Sequence, residues 1–153
     1  MNDKEWVESS LHEVYQIMGV LNMSYEYIPL LEERYTDEGL MVLDYDYENR
    51  IPITAAMNTD KEGDPDLDYE RKDLKNTREN VTIQFTRSSI LPHTVKARDA
   101  IDVTIGDSTE RYIILGNDNG IVLSGIYYSV RATAVSGALQ DYEVLNNGIE
   151  ATF

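Results

Sequence analysis

The sequence predicts a mainly β protein of the α+β kind: a small antiparallel β-barrel or sandwich with an N-terminal α-helix and a long charged loop. Three observations predict it. From Val81 to Phe153 the apolar residues alternate or cluster in short runs, each stopped by Gly, Asn, Asp or Pro. The stops Gly106-Asp107-Ser108, Gly116-Asn117-Asp118-Asn119-Gly120 and Asn146-Asn147-Gly148 recur at roughly the 8–12-residue spacing of small all-β domains. Tyrosine dominates the aromatics, with 11 Tyr against 2 Phe and 1 Trp, which suits sheets that bury a ring and leave its hydroxyl on a polar partner. A chain of 153 residues fits one domain with one core, so 1–153 is read as a single unit.

The elements follow in order. Over 1–21, Asp3 is a plausible N-cap, and Trp6, Leu11, Val14, Tyr15 and Met18 fall near one face at helical spacing, a stripe expected to pack on the domain's own sheet. Gly19 ends or weakens that helix. Ser24 to Leu31 is strand-like or irregular, because Pro29 denies a ladder donor. Within 40–57, the stretch Leu40 to Tyr47 alternates, with Leu43, Tyr45 and Tyr47 on one side and Asp44 and Asp46 on the other, as a half-buried strand requires. A turn near Glu48-Asn49-Arg50 leads to a further strand at Ile51 to Met57. Residues 59–80 have almost no apolar content apart from Leu67, Tyr69 and Leu74, which predicts a surface loop of a length that tends to be functional or ordered on assembly. In 81–153, strands are expected at Val81–Thr86, Ala100–Ile105, Arg111–Leu115, Ile126–Val135 and Tyr142–Leu145, with a short one near Ile149–Phe153.

Charge narrows the function classes. There are 28 acidic and 13 basic residues, a formal charge of −15, which argues against gripping a phosphate backbone by counterion release. A surface of this sign can repel DNA from a channel wall, imitate DNA toward a basic partner, or keep the protein soluble. The chain has no Cys, which excludes disulfides, thiolate metal sites and cysteine nucleophiles. Met1-Asn2-Asp3-Lys4-Glu5 lacks the basic start and apolar run of a signal peptide, and no apolar stretch approaches the ~20 residues of a membrane span. A soluble protein, intracellular where it is made, is expected.

Chemistry-bearing motifs are scarce. Only His12 and His93 offer imidazole bases, His12 on the charged side of the helix and His93 in a bend after Pro92, and no nucleophile elbow accompanies them. Neither phosphate-cradling glycine motif occurs, and Gly116 to Gly120 reads as a hairpin loop. Asp60, Glu62, Asp64, Asp66 and Asp68 offer the oxygen ligands calcium prefers, but Pro65 interrupts the run and the twelfth position from Asp60 is Arg71. No catalytic, cofactor or metal residue is assigned, and a nonenzymatic structural or interaction role is expected.

In the second half, Val81-Thr82-Ile83-Gln84-Phe85-Thr86, then Val103-Thr104-Ile105-Gly106-Asp107 and Tyr112-Ile113-Ile114-Leu115, with Arg87, Arg98-Asp99-Ala100 and Ile126-Tyr127-Tyr128-Ser129-Val130, resemble the small head-to-tail joining proteins of tailed phages. These are also called head-completion, stopper or neck proteins. The resemblance covers about half the chain, and extra residues at Ser108 to Arg111 and the run to Phe153 depart from the family's pattern. It implies a β-barrel subunit in a ring with itself, commonly a hexamer, between portal or adaptor and tail proteins. Such a ring sits in the virion after assembly in the host cytoplasm, passes DNA without specific binding and uses no membrane or cofactor. On that reading Tyr127, Tyr128 and Tyr142 are candidate subunit contacts, each equally explained by packing in its own monomer. Asp60, Glu62, Asp64, Asp66, Asp68, Arg71, Lys72, Lys75 and Arg78 are candidates for a channel-lining or gating loop. The rival classes are an acidic DNA-mimic inhibitor of a host nucleic-acid-binding protein, another tail or baseplate component, and a ligand-binding barrel or carboxylate enzyme.

Overall fold

The computed structural model describes residues 5–10, 23–59, 80–122, 126–138 and 142–153. Residues 5–10 are helical (α1). Trp6, expected on the sheet-facing stripe of that helix, is instead 63% exposed, and Leu11, Val14, Tyr15 and Met18 lie outside the described residues. The strands are β1 Met23–Ile28, β2 Leu30–Tyr35, β3 Met41–Tyr45, β4 Ile51–Ile53, β5 Ala55–Thr59, β6 Asn80–Thr86, β7 Ala100–Ile105, β8 Ser108–Val122, β9 Tyr127–Ala134, β10 Tyr142–Asn146 and β11 Ile149–Glu150. A short helix, α2 Val135–Ala138, follows β9.

Several boundaries differ from expectation for local reasons. Pro29 cannot donate to a ladder, and it splits 23–35 into β1 and β2, which join different sheets. The alternating run from Leu40 ends at Tyr45, and Tyr47 enters a 3-10 turn over Tyr47–Asn49. Gly116 to Gly120 is not a hairpin turn but part of β8, which pairs with β9 on both sides of an irregularity between Ile114 and Asn119. Ile114 pairs with Ala132 and Asn119 with Val130, so five steps on β8 match two on β9, and an enlarged bulge takes up three residues. Ser108 to Arg111, apparently extra residues in the sequence, are the start of β8 opposite β7.

Two other turns follow turn chemistry. Gly106-Asp107 joins β7 to β8 with Ile105 opposite Ser108, and Gly106 has φ +59, the positive angle that a type II′ turn places at its first central residue. Asn147-Gly148 joins β10 to β11 with φ +55 and +85, the two positive angles of a type I′ turn.

The larger sheet has the order β4-β1-β7-β8-β9-β6-β5. Its two outer strands are consecutive in the chain, with only Thr54 between them. Residues 51–59 thus border β1 at one end of the sheet and β6 at the other, which leaves a nearly closed, antiparallel, barrel-like sheet. The smaller sheet, β11-β10-β3-β2, contains a parallel pair, β3 with β10. Strands from before and after the 60–79 segment share both sheets, through β1 with β7, β5 with β6, and β3 with β10.

Strand alternation assigns side chains to two cores. Tyr25, Tyr27, Val81, Ile83, Phe85, Ile101, Val103, Tyr112, Ile114, Tyr128 and Val130 fill the barrel. Ile28, Ala100 and Ile113, from the opposite faces of β1, β7 and β8, pack with Leu43, Tyr45 and Val144 of the smaller sheet. The second sheet therefore lies on the outside of the barrel wall and covers the outward face of β7, so Ala100 and Asp102 are buried there although the strand alternates Ile101, Val103 and Ile105 with Asp102 and Thr104. In the barrel, Phe85 sits between Tyr27 and Tyr128, with ring centroids 5.9 and 5.4 Å away. Phe85→Ala is expected to cost about 3–5 kcal/mol, as buried Phe truncations do, read as a lower urea midpoint with an unchanged slope.

Candidate functional site

Two polar clusters join the barrel to the smaller sheet. In the first, Asp102 on β7 and Arg111 on β8 are direct cross-strand partners whose side chains leave the barrel wall toward the smaller sheet. Arg111 is 1% exposed. Its Nε and Nη2 donate to the two Asp102 carboxylate oxygens at 2.7 and 3.0 Å, and Nη1 donates to Asn146 Oδ1 of β10. The guanidinium also lies 5.1 Å from the Tyr45 ring centroid and 5.0 Å from that of Phe153, within cation–π range. Glu26 on β1 stands opposite Asp102 in register, a like-charge neighbour that would destabilise the pair of strands. Arg50, 2.8 Å from Glu26 and stacked on Tyr47, balances that second acid.

The second cluster centres on Asp99, which is 3% exposed. Its carboxylate accepts hydrogen bonds from the Tyr27 hydroxyl in the barrel, from the Leu30 N–H at the start of β2 (2.9 Å) and from the Lys96 N–H (3.1 Å). Burial pushes the Asp99 carboxyl above its usual range, against the opposing effect of those bonds. Burial and the nearby Asp99 charge likewise push the Tyr27 phenol far up, so it stays a donor. The neighbouring Arg98 has φ +67, uncommon for a side chain other than Gly, Asn or Asp. That backbone is tied down: Arg98 N–H donates to Ile114 O at 2.8 Å, its carbonyl accepts from the Tyr45 hydroxyl at 2.7 Å, and its guanidinium grips Glu33 of β2 at 2.5 and 3.0 Å. Burial raises the Tyr45 phenol as well.

Of the residues singled out by the sequence, Tyr127, Tyr128, Tyr142 and His93 are among those described. Tyr128 is 1% exposed, and its ring is used inside its own barrel against Phe85. Tyr127 is half-buried at the start of β9, and Tyr142 is half-buried on β10, where it lines a shallow hollow with Val144 and Phe153. Asp60, Glu62, Asp64, Asp66, Asp68, Arg71, Lys72, Lys75 and Arg78 lie outside the described residues, as does His12. The ends of that charged segment are described. Alternating strand direction puts Thr59 and Asn80 at the barrel end that also holds Met23, the Gly106-Asp107 turn and α2. Tyr127 and the Asp99 cluster lie at the opposite end. His93 is exposed in a turn, its N–H donating to Ile90 O.

Both clusters join the two sheets by hydrogen bonds within the chain, Arg111 to Asp102 and Asn146, and Asp99 to Tyr27, Leu30 and Lys96, and so fix how one sheet sits on the other. Among the described residues no three His, Asp or Glu side chains gather as a metal site, and no helix is long and apolar enough to cross a membrane. The arrangement defines an acidic β-barrel with an external sheet clamped to its wall. Searches of protein-family models, curated proteins and solved structures give no match to this chain.

Proposed function

We propose that this protein is a nonenzymatic structural subunit of a tailed-phage virion. It sits in the neck and forms, with copies of itself, a ring around the DNA channel between portal or adaptor and tail. The observation that carries this reading is the sign of the surface. Of the described cations, Arg50, Arg98 and Arg111 are each engaged by a carboxylate of the same chain, while Asp37, Glu38, Glu48, Asp107, Glu143 and Glu150 are exposed. A ring of such subunits presents negative charge to passing DNA and does not bind it. The likeness of the β6, β7 and β8 sequences to head-to-tail joining proteins supports the same assignment, and so does the position of Thr59 and Asn80, the residues flanking the charged 60–79 segment, at one barrel end.

The test is electron microscopy of the protein mixed with portal complexes or tailless particles from its source, together with its mass in solution. Rings docked at the portal are the expected result. A protein that neither forms rings nor binds particles rejects the neck assignment. The same acid excess favours a second reading, a DNA-mimic inhibitor. That reading requires a basic host protein to be captured and then released by short duplex DNA, and a ring-former without such a partner eliminates it.

A further inference from the structure

We propose that Asn147-Gly148 is a self-modification site, a latent deamidation site that Asp44 holds in check. The reaction needs only water. The Gly148 backbone nitrogen attacks Asn147 Cγ, the new N–Cγ bond replaces the Cγ–Nδ2 bond, and ammonia leaves carrying the proton lost by that nitrogen. Water then opens the cyclic imide to an aspartyl or isoaspartyl residue. Glycine in the second position leaves the attacking nitrogen unshielded, because it has no Cβ. Asn147 and Gly148 are both exposed, so water reaches the site.

The folded turn works against the attack. Asn147 N–H donates to Tyr45 O at 3.0 Å, and Gly148 N–H donates to Asp44 Oδ1 at 3.1 Å. The second bond occupies the hydrogen that has to leave before the nitrogen becomes a nucleophile. Together the two bonds hold both residues at positive φ, opposing the rotation about Asn147 that brings Cγ onto the nitrogen. Asp44 reaches the turn because β3 runs parallel to β10, with Asp44 opposite Leu145. The lock is therefore set by the tertiary pairing, and an isolated 142–150 hairpin does not have it.

Modification has a structural consequence. An isoaspartyl linkage adds a backbone atom to a two-residue turn, so Leu145 and Glu150, and Asn146 and Ile149, can no longer keep register. Asn146 is also the residue that receives Arg111 Nη1. Deamidation at 147 thereby strains the clamp between the sheets.

The full-length chain and its Asp44→Ala and Asp44→Asn variants are incubated at neutral pH, with peptide mass mapping and isoaspartate-specific labelling as readouts. The same samples in concentrated urea give the unprotected rate. Asp44→Ala is expected to deamidate at Asn147 about tenfold faster than the parent when folded, the factor that one charge-assisted hydrogen bond supplies. Asp44→Asn keeps an acceptor oxygen and is expected to stay within a few-fold of the parent, and all three rates converge in urea. Circular dichroism confirms that the variants remain folded. A folded Asp44→Ala protein that deamidates no faster than the parent overturns the proposal, as does a parent that deamidates equally fast folded and in urea.

Discussion

Arg111→Ala is expected to destabilise the protein by about 3–5 kcal/mol, the cost of leaving one member of a buried ion pair without its partner. The partner is Asp102, buried beside the Ala100 and Ile113 contacts with the smaller sheet and facing Glu26 in register. Without the guanidinium, two carboxylates confront each other across adjacent strands, and only Glu26 keeps a cation, Arg50. Asn146 also loses its donor, so the loss extends to β10. The double replacement Arg111→Met with Asp102→Leu separates charge from packing, since a buried pair exchanged for apolar groups of similar size is often neutral or stabilising. Chemical denaturation of the parent and the two variants gives the comparison. If the single and double replacements lose the same stability, the ion pair is not what holds the sheets together.

Asp99→Ala is expected to cost about 2–4 kcal/mol, because it strands the buried Tyr27 hydroxyl, an unmet buried donor costing roughly 1–3 kcal/mol, and also removes the acceptor of the part-buried Leu30 and Lys96 amides. Asp99→Asn isolates the charge. Burial raises the Asp99 carboxyl, so the folded protein binds that proton more tightly than the unfolded chain does. The stability contributed by this group is then complete below the unfolded carboxylate value of about 4 and is lost as pH rises through the higher folded value. The asparagine variant lacks that loss. Its stability relative to the parent is therefore expected to improve as pH is raised through this window, from whatever offset the amide imposes by facing Lys96 N–H with a donor. Urea midpoints of both proteins at a series of pH values test this, and a difference that is flat or falls with pH contradicts it.

The clamp illustrates how far sequence reasoning reaches. Gly106-Asp107 is legible as a turn, and Asp102 and Arg111 lie at equal distances on either side of it, so counting outward from the turn pairs them across the hairpin. The missing piece is that this hairpin is covered on both faces, which turns an ordinary surface pair into a buried one. Pro29 similarly marks a break without revealing that the chain changes sheets there. Gly116 to Gly120 has the composition of a hairpin turn, yet pairing with β9 continues to Val122, and cross-strand bonding overrides local turn preference. Two of the tyrosines serve the junctions, Tyr27 reaching Asp99 and Tyr45 the Arg98 carbonyl, whereas the buried Tyr128 hydroxyl makes no hydrogen bond among the described residues.

By itself the sequence determined the mainly β character, the strands around β6, β7, β9 and β10, the two tight turns and the sign of the surface. Each of these depends on alternation, on glycine or asparagine at positive φ, or on simple charge count, and all are properties of neighbours in the chain. The tertiary structure decided the near-closure through 51–59, the parallel pairing of β3 with β10, the double covering of β7, and the burial of Asp99, Asp102 and Arg111. Those depend on segments up to about a hundred residues apart, such as Asp44 and Gly148. The energy of a buried charge comes from what excludes water around it, and only the assembled sheets supply that.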